Sequence, residues 1–235
     1  MLRPGTARRA LAAAFTAAAV ACGAVPSAAT AADVIVATDN QFAAGTYAMA
    51  PGERPEFQND GPFNRHDVFS RGLGPDGARL FTSPTLDPGF ATGVDGTQYL
   101  TVGTYPFFCN IHPLEMSGTL SVSGPGSPVP RPSVALKGKG GKLQKLAKKG
   151  KLAVTVTAAT ESNGVKLVAK LGKATVGSAA AFNLAAGQSR KTTVKLSKSG
   201  KAKLKKLAKK RKKATIKVTG SVPFGAPRTV KLSFK

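Results

Sequence analysis

Hydrophobic and polar positions alternate in short runs through most of this chain. "DVIVAT" at 33–38 is an apolar run of strand length. "GTYAMAPGERPEFQND" alternates, turns at Pro51-Gly52 and alternates again. "HDVFS" follows a loop, and "TQYLTVGTYPFF" and "SGTLSVSG" are strand-like stretches, each flanked by glycine. Turn signals recur about every 8 to 12 residues, and no helical period of useful length interrupts them. That spacing predicts an all-β sandwich over roughly residues 32–123.

The pattern changes after residue 132. Val134/Leu136, Val154/Val156, Val165/Leu167, Val194/Leu196, Ile216/Val218 and Val230/Leu232/Phe234 alternate with polar neighbours and predict further strands. Two segments switch to helical spacing instead. Leu143, Leu146 and Ala147 share one face, as do Leu204, Leu207 and Ala208, while lysines cover the rest. Gly150 is placed to end the first of these helices. "SVALKGKGGKLQKLAKKGKLAVTVT" at 133–157 answers "TVKLSKSGKAKLKKLAKKRKKATIKVT" at 193–219, each reading strand, short helix, strand. Two copies are too few for a solenoid, so 133–235 reads as one β-sandwich domain of about seven strands with two short helices and an internal duplication. Its architecture resembles the immunoglobulin-like modules of bacterial surface proteins, with no specific motif behind the likeness.

Charge separates the two regions. Residues 33–123 hold ten Asp/Glu, four Arg and no Lys, whereas 133–235 hold 27 Lys/Arg against the single Glu161. "GPGSPVPRP" at 124–132 lies between them and reads as a Pro/Gly linker, extended and fairly stiff. The whole chain carries a formal charge of +24.

The N-terminus reads as an export signal occupying 1–31. Arg3, Arg8 and Arg9 precede an apolar run of 16 residues from Ala10 to Val25, and "SAATAAD" offers a cleavage site near Ala31. Cys22 in "AVACG" allows a lipoprotein site as a second reading. Export to the periplasm, the cell surface or the medium makes nucleic acid an unexpected partner for "KAKLKKLAKKRKK", which packs nine cations into 13 residues. The anions expected there are lipid headgroups and wall polymers, unless the basic tract is only a solvated face.

Cleavage near Ala31 leaves Cys109 without a disulfide partner, and a lone thiol in an oxidising place needs burial or a ligand. Its neighbours suggest one. "GTYPFFCNIHPLEMSG" at 103–118 collects Cys109, His112 and Met116 in a chain with only two cysteines, two histidines and three methionines. The other histidine, His66, lies 43 residues before Cys109. One thiolate, two imidazoles and a weak thioether suit a mononuclear copper site for electron transfer. Two rivals share some of these residues. A Cys-His nucleophile pair leaves Met116 unexplained. Zinc prefers carboxylate to thioether.

The pattern G-T-Y-x-F-x-C-x-x-H, then M-x-G-x-x-x-V, is supplied here by Gly103, Thr104, Tyr105, Phe107, Cys109, His112, Met116, Gly118 and Val122. With "YAMAPGERPEFQNDGPFNRHDVFS" upstream, the stretch resembles the cupredoxins, the plastocyanin-like type 1 (blue) copper proteins. The resemblance implies a Greek-key β-sandwich, one type 1 copper, His66, Cys109 and His112 as strong ligands and Met116 as the axial one. It also implies an electron carrier, not an enzyme, that meets a redox partner protein; a copper-delivery module is the alternative. Asp67 departs from the family, which often has Asn after this histidine. The three-residue gap between His112 and Met116 is intermediate among family loops. Phe108, of opposite strand parity to Cys109, is expected to face away from the metal, and Met49 to lie in the core.

Overall fold

The computed structural model describes residues 32–210 and 212–235. The expected export segment 1–31, with Cys22, and Arg211 lie outside the described residues. No helix among the described residues is long and apolar enough to cross a membrane.

The first region contains eight short strands: β1 Ile35–Thr38, β2 Gln41–Phe42, β3 Thr46–Met49, β4 Glu56–Asn59, β5 Phe69–Ser70, β6 Ala91–Gly93, β7 Gly103–Phe108 and β8 Ser117–Val122. They form two four-stranded sheets, ordered β2-β1-β4-β6 and β3-β8-β7-β5. β1 pairs with β4 in parallel, as does β3 with β8, and the other neighbours are antiparallel. Strict alternation explains the packing. Ile35 and Ala37 of β1, Tyr47 and Met49 of β3, and Phe57 of β4 are buried between partly or fully exposed neighbours. Two sheets with one apolar face each bury both faces by stacking.

Phe107 sits at the centre of this core. Its ring meets Phe42 edge-on, centroids 4.8 Å apart, and also packs near Tyr47 and Phe81. Gly118 pairs with Phe107 across the β7–β8 ladder. A Cβ at Gly118 would lie 2.5 Å from the Phe107 ring, so only glycine leaves the ring room. The sequence expectation of a strand from 97 to 108 needs one change. Thr97–Tyr99 is a 3-10 turn, entered through Gly96 at φ 98°, and pairing starts only at Gly103.

The second region is a single antiparallel sheet of seven strands in the order β15-β14-β11-β12-β13-β10-β9. They are β9 Val134–Gly138, β10 Lys151–Ala158, β11 Ser162–Leu171, β12 Ala174–Leu184, β13 Ser189–Leu196, β14 Ala214–Ser221 and β15 Arg228–Phe234. The sheet curls until its edges meet: Gly138 of β9 sits against the Leu232 side chain of β15, and Gly141 bridges to Phe234. The core inside is almost wholly aliphatic. Helix α1, Leu143–Lys149, and helix α2, Lys198–Lys209, lie where the helical spacing puts them. α1 buries Leu143, Leu146 and Ala147 and ends on Gly150, whose N–H reaches the Leu146 carbonyl at φ 64°. Ser197 caps α2 by accepting the Gly200 N–H. The two strand–helix–strand units differ in pairing. β9 and β10 pair directly across α1, whereas β13 and β14 on either side of α2 do not pair.

Residues 124–132 form neither strand nor helix. The two regions meet through Phe224, in the turn between β14 and β15. Its ring stacks near Tyr99, centroids 5.8 Å apart, and fills the space beside Gly96. Asp76 accepts the Phe224 N–H at 2.9 Å, and Arg131 donates to the carbonyls of Phe224 and Tyr99. Phe224 holds φ 62°, a left-handed conformation costly for a bulky side chain and sustained here by those contacts. Among the described residues no salt bridge joins the two regions.

Candidate metal centre

Cys109 directly follows the end of β7, so the ladder with β8 fixes its backbone, and its side chain points inward with Phe107. The loop then closes on itself. The Cys109 N–H donates to the Met116 carbonyl at 3.0 Å, and the Met116 N–H to the His112 carbonyl at 3.0 Å. Cys109 and Met116 are buried, and His112 is half-buried.

His66 arrives from the opposite side. Its backbone makes two hydrogen bonds with Leu86, at 3.1 and 2.8 Å, which clamp the residue against the stretch before β6. Asn59, at the end of β4, organises the approach to it. The buried Asn59 amide donates to the carbonyls of Asn64 and Leu86 and accepts the Gly61 N–H.

These elements bring three donor atoms together. Cys109 Sγ lies 3.8 Å from His66 Nδ1 and 3.9 Å from His112 Nδ1, and all three atoms fall within 4.8 Å of one another. Ligands held about 2.0–2.3 Å from a common metal ion would be about 3.5–3.8 Å apart. The two Cys–His separations are close to this spacing, and the widest pair, within 4.8 Å, would close in slightly around a single ion. The structure brings His66, Cys109 and His112 together, and Met116 is buried in the same core cluster on the same loop.

The carboxylate of Asp67 ties the two halves of the site. Buried beside His66, it accepts the Asn110 N–H through Oδ1 at 2.6 Å and the Thr85 hydroxyl through Oδ2 at 3.1 Å. One side chain thus links the stretch carrying His66, before β5, to the loop carrying Cys109. Thr85, Leu86 and Ser83, whose hydroxyl accepts the Val68 N–H, were missed by sequence reasoning. They lie in "TSPTLD", a polar loop with no periodicity, and nothing in their spacing marks them.

The electrostatics follow from burial. Desolvation lowers the His66 pKa below its ordinary 6.5, and the neighbouring His112 lowers it further. The Asp39 carbonyl and the carboxylates of Asp67 and Asp39 oppose this. His66 Nε2 is buried without a hydrogen-bond partner. Desolvation also raises the Cys109 thiol above its ordinary 9.0, while the backbone amides of Asp67, His112 and Ile111 offset part of the rise. Without metal, the site thus holds a neutral imidazole and a protonated thiol, and a cation that binds there displaces the thiol proton.

Phe108 is turned away from this cluster, as its parity predicts. Its ring lies beneath the guanidinium groups of Arg71 and Arg79, at 4.9 and 5.1 Å. The loop's outer surface is apolar: Ile111, Pro113 and Leu114 flank His112 and are exposed, Leu114 at 97 %.

No protein family and no curated protein matches the chain. Some solved structures are similar to part of the chain. A copper-containing nitrite reductase from Thermus scotoductus SA-01 is 26% identical over 40% of this chain and 22% of its own, with a TM-score of 0.33. The chain thus spans less than a quarter of that reductase's length. A reduced amicyanin mutant is 22% identical over 41% of this chain and 87% of its own, with a TM-score of 0.33. A purple cupredoxin from Nitrosopumilus maritimus is 21% identical over 39% of this chain and 100% of its own, with a TM-score of 0.32.

Proposed function

We propose that residues 32–123 hold one copper ion in a type 1 site and that the protein is an exported electron carrier, not an enzyme. The observation behind this reading is the convergence of His66 Nδ1, Cys109 Sγ and His112 Nδ1 on one buried point from segments 43 residues apart. Cys109, His66 and His112 are the strong ligands and Met116 the weak axial one. Copper would supply a one-electron couple, and a thiolate with two imidazoles serves both of its oxidation states.

The chain's own residues do the rest. The Leu86 clamp and the Asp67 bridge fix His66 and Cys109 before any metal arrives, so little rearranges when the charge at the site changes. Phe107 and the core beneath it exclude water from the sulfur. His112 alone among the three reaches the surface, within the apolar rim of Ile111 and Leu114. That rim is where a redox partner protein would dock and where the electron would pass. The basic second domain holds the carrier near an anionic envelope surface, a role that its charge supports.

Titration of the purified protein with Cu(II) tests the centre. The expected result is one copper per chain with an intense visible thiolate-to-copper band, lost in Cys109→Ser. Absence of the band, or its survival in that variant, overturns the reading. Reversible one-electron reduction at an electrode separates a carrier from a delivery module.

A further inference from the structure

The second domain contains a cleft of about 1110 Å³ between α1, the β9–β10 pair and the end of β15. Its floor is apolar, with Leu146, Leu152 and Phe234. Its rim is cationic. Lys142, Lys145 and Lys149 come from α1 and its approach. Lys137, Lys139, Lys151 and Lys191 come from the strands and the loop after β9. No Asp or Glu side chain lines it, and the domain's single acidic side chain, Glu161, lies in the turn between β10 and β11.

Seven like charges around one concavity repel one another, and no protein carboxylate relieves them. Their chemistry narrows the occupant. All are lysines, which act as point charges with rotatable donors and do not impose the planar fork of arginine. All are exposed, so each contact is individually weak and affinity must come from several at once. Their spacing repeats: Lys145 and Lys149 are one helical turn apart, about 6 Å along α1, and Lys137 and Lys139 are about 6–7 Å apart along the chain. The only aromatic lining residue, Phe234, is buried, so no ring is free to stack on a base.

We propose that this cleft is a binding site for a linear polyanion, a phosphate-bearing polymer gripped through its repeated charges. A concave groove fits a strand better than the plane of a membrane. The proposal rests on the reading that the basic domain attaches to an anionic surface, and it deepens that reading by assigning the contact to one groove.

The test uses the full chain and long-chain inorganic polyphosphate, with binding measured at two salt concentrations. A cleft variant carries Lys137→Gln, Lys145→Gln, Lys149→Gln and Lys191→Gln. A control carries four equal changes at exposed positions outside the cleft: Lys166→Gln, Lys173→Gln, Lys203→Gln and Lys217→Gln. A third variant places Arg at the four cleft positions, and circular dichroism checks the fold of each. The cleft variant is expected to lose at least about tenfold in affinity, with a shallower salt dependence. The control should change by less than about threefold, and the Arg variant should bind like the parent. Equal losses in cleft and control variants overturn the cleft while leaving attachment by diffuse charge intact. No binding by the parent overturns both. Orthophosphate binding as tightly as the polymer, a homopolymeric single-stranded oligonucleotide binding more tightly than polyphosphate, or cleft-dependent binding of phosphatidylglycerol vesicles alone would each assign the groove to another ligand.

Discussion

The two halves of this chain bury different things. Among the described residues, six of seven buried polar side chains belong to the first domain: Asn59, His66, Asp67, Ser70, Ser83 and Thr97. The second domain buries only Ser162. Five buried aromatic rings pack the first core, whereas the second buries Phe234 alone and has Phe182 partly buried against it. Strands of two to six residues in the first region contrast with strands of five to eleven in the second. Buried polar groups need partners, and finding them breaks strands into loops. The first domain accepts that irregularity to build a site. The second keeps its interior simple and places its chemistry on the surface.

Breaking the site should have the largest effect. Cys109→Ser removes the thiolate, and copper affinity should fall by more than the ~10–100-fold typical for loss of a supporting residue. Copper titration by absorbance reads this directly, and the second domain's unfolding transition should not move.

The cores come next. Phe107→Ala opens a cavity under the site and should cost about 3–5 kcal/mol in the first domain. Leu167→Ala in the second should cost about 2–5 kcal/mol. Urea unfolding followed separately by copper absorbance and by far-ultraviolet circular dichroism should assign each loss to its own domain. A shared loss would erase the distinction drawn above.

Asp67 sharpens the comparison from within the site. Asp67→Ala leaves the Asn110 N–H and the Thr85 hydroxyl without their acceptor and should destabilise the first domain by about 1–3 kcal/mol. Asp67→Asn keeps an acceptor and removes a buried negative charge. The reduction potential should therefore rise, because the less positive Cu(I) gains relative to Cu(II). An unchanged potential in that variant would place the carboxylate's role in positioning alone.

A pH scan of the copper-free protein separates the domains again. His66 is depressed in the folded state, so its contribution is intact above pH 6.5. It is lost as pH falls, because the unfolded chain takes up the proton first. Cys109 is raised, so its contribution is intact below pH 9.0 and is lost as pH climbs through the folded value. The first domain should be most stable between these limits; stoichiometric copper, which displaces the thiol proton, should remove the alkaline loss and steepen the acid one. A bell-shaped dependence in the second domain, which has no histidine or cysteine, would contradict this account.

The smallest effect is expected at the junction. Phe224→Ala should cost about 1 kcal/mol and chiefly uncouple the two unfolding transitions. Because the junction is made by an aromatic contact and by hydrogen bonds of Asp76 and Arg131 with backbone groups, with no ion pair across it among the described residues, raising the salt concentration should weaken the coupling only slightly.

Legibility in the sequence followed the same division. In the second domain, alternation in "LAVTVTA" and "TIKVT" reflects long strands with one face inward, and the helix faces at Leu143 and Leu204 were equally plain. β12 went unread because small alanines and shifts of register against β11 blur its period. In the first domain, β2 and β6 are too short to show a period. There the motif was more informative than the pattern. Cys109, His112 and Met116 stood out by spacing and His66 by scarcity, while the Asp67–Thr85 link and the Leu86 clamp depend on tertiary contacts that no local signal encodes. The 3-10 turn at Thr97–Tyr99 looked like strand because its residues favour strands, and Gly96 with the Phe224 ring beside it fixes the turn instead.

Phe224, wedged beside Gly96 and Tyr99, has a consequence for traffic at the metal. A carrier on a slack leash samples every heading, and its docking edge meets visitors from all sides. Here the wedge makes the leash a bracket. If the proposed carrier is held by its lysine-bearing half, that bracket biases the heading of His112, and molecules approaching through one sector of space would meet it most often.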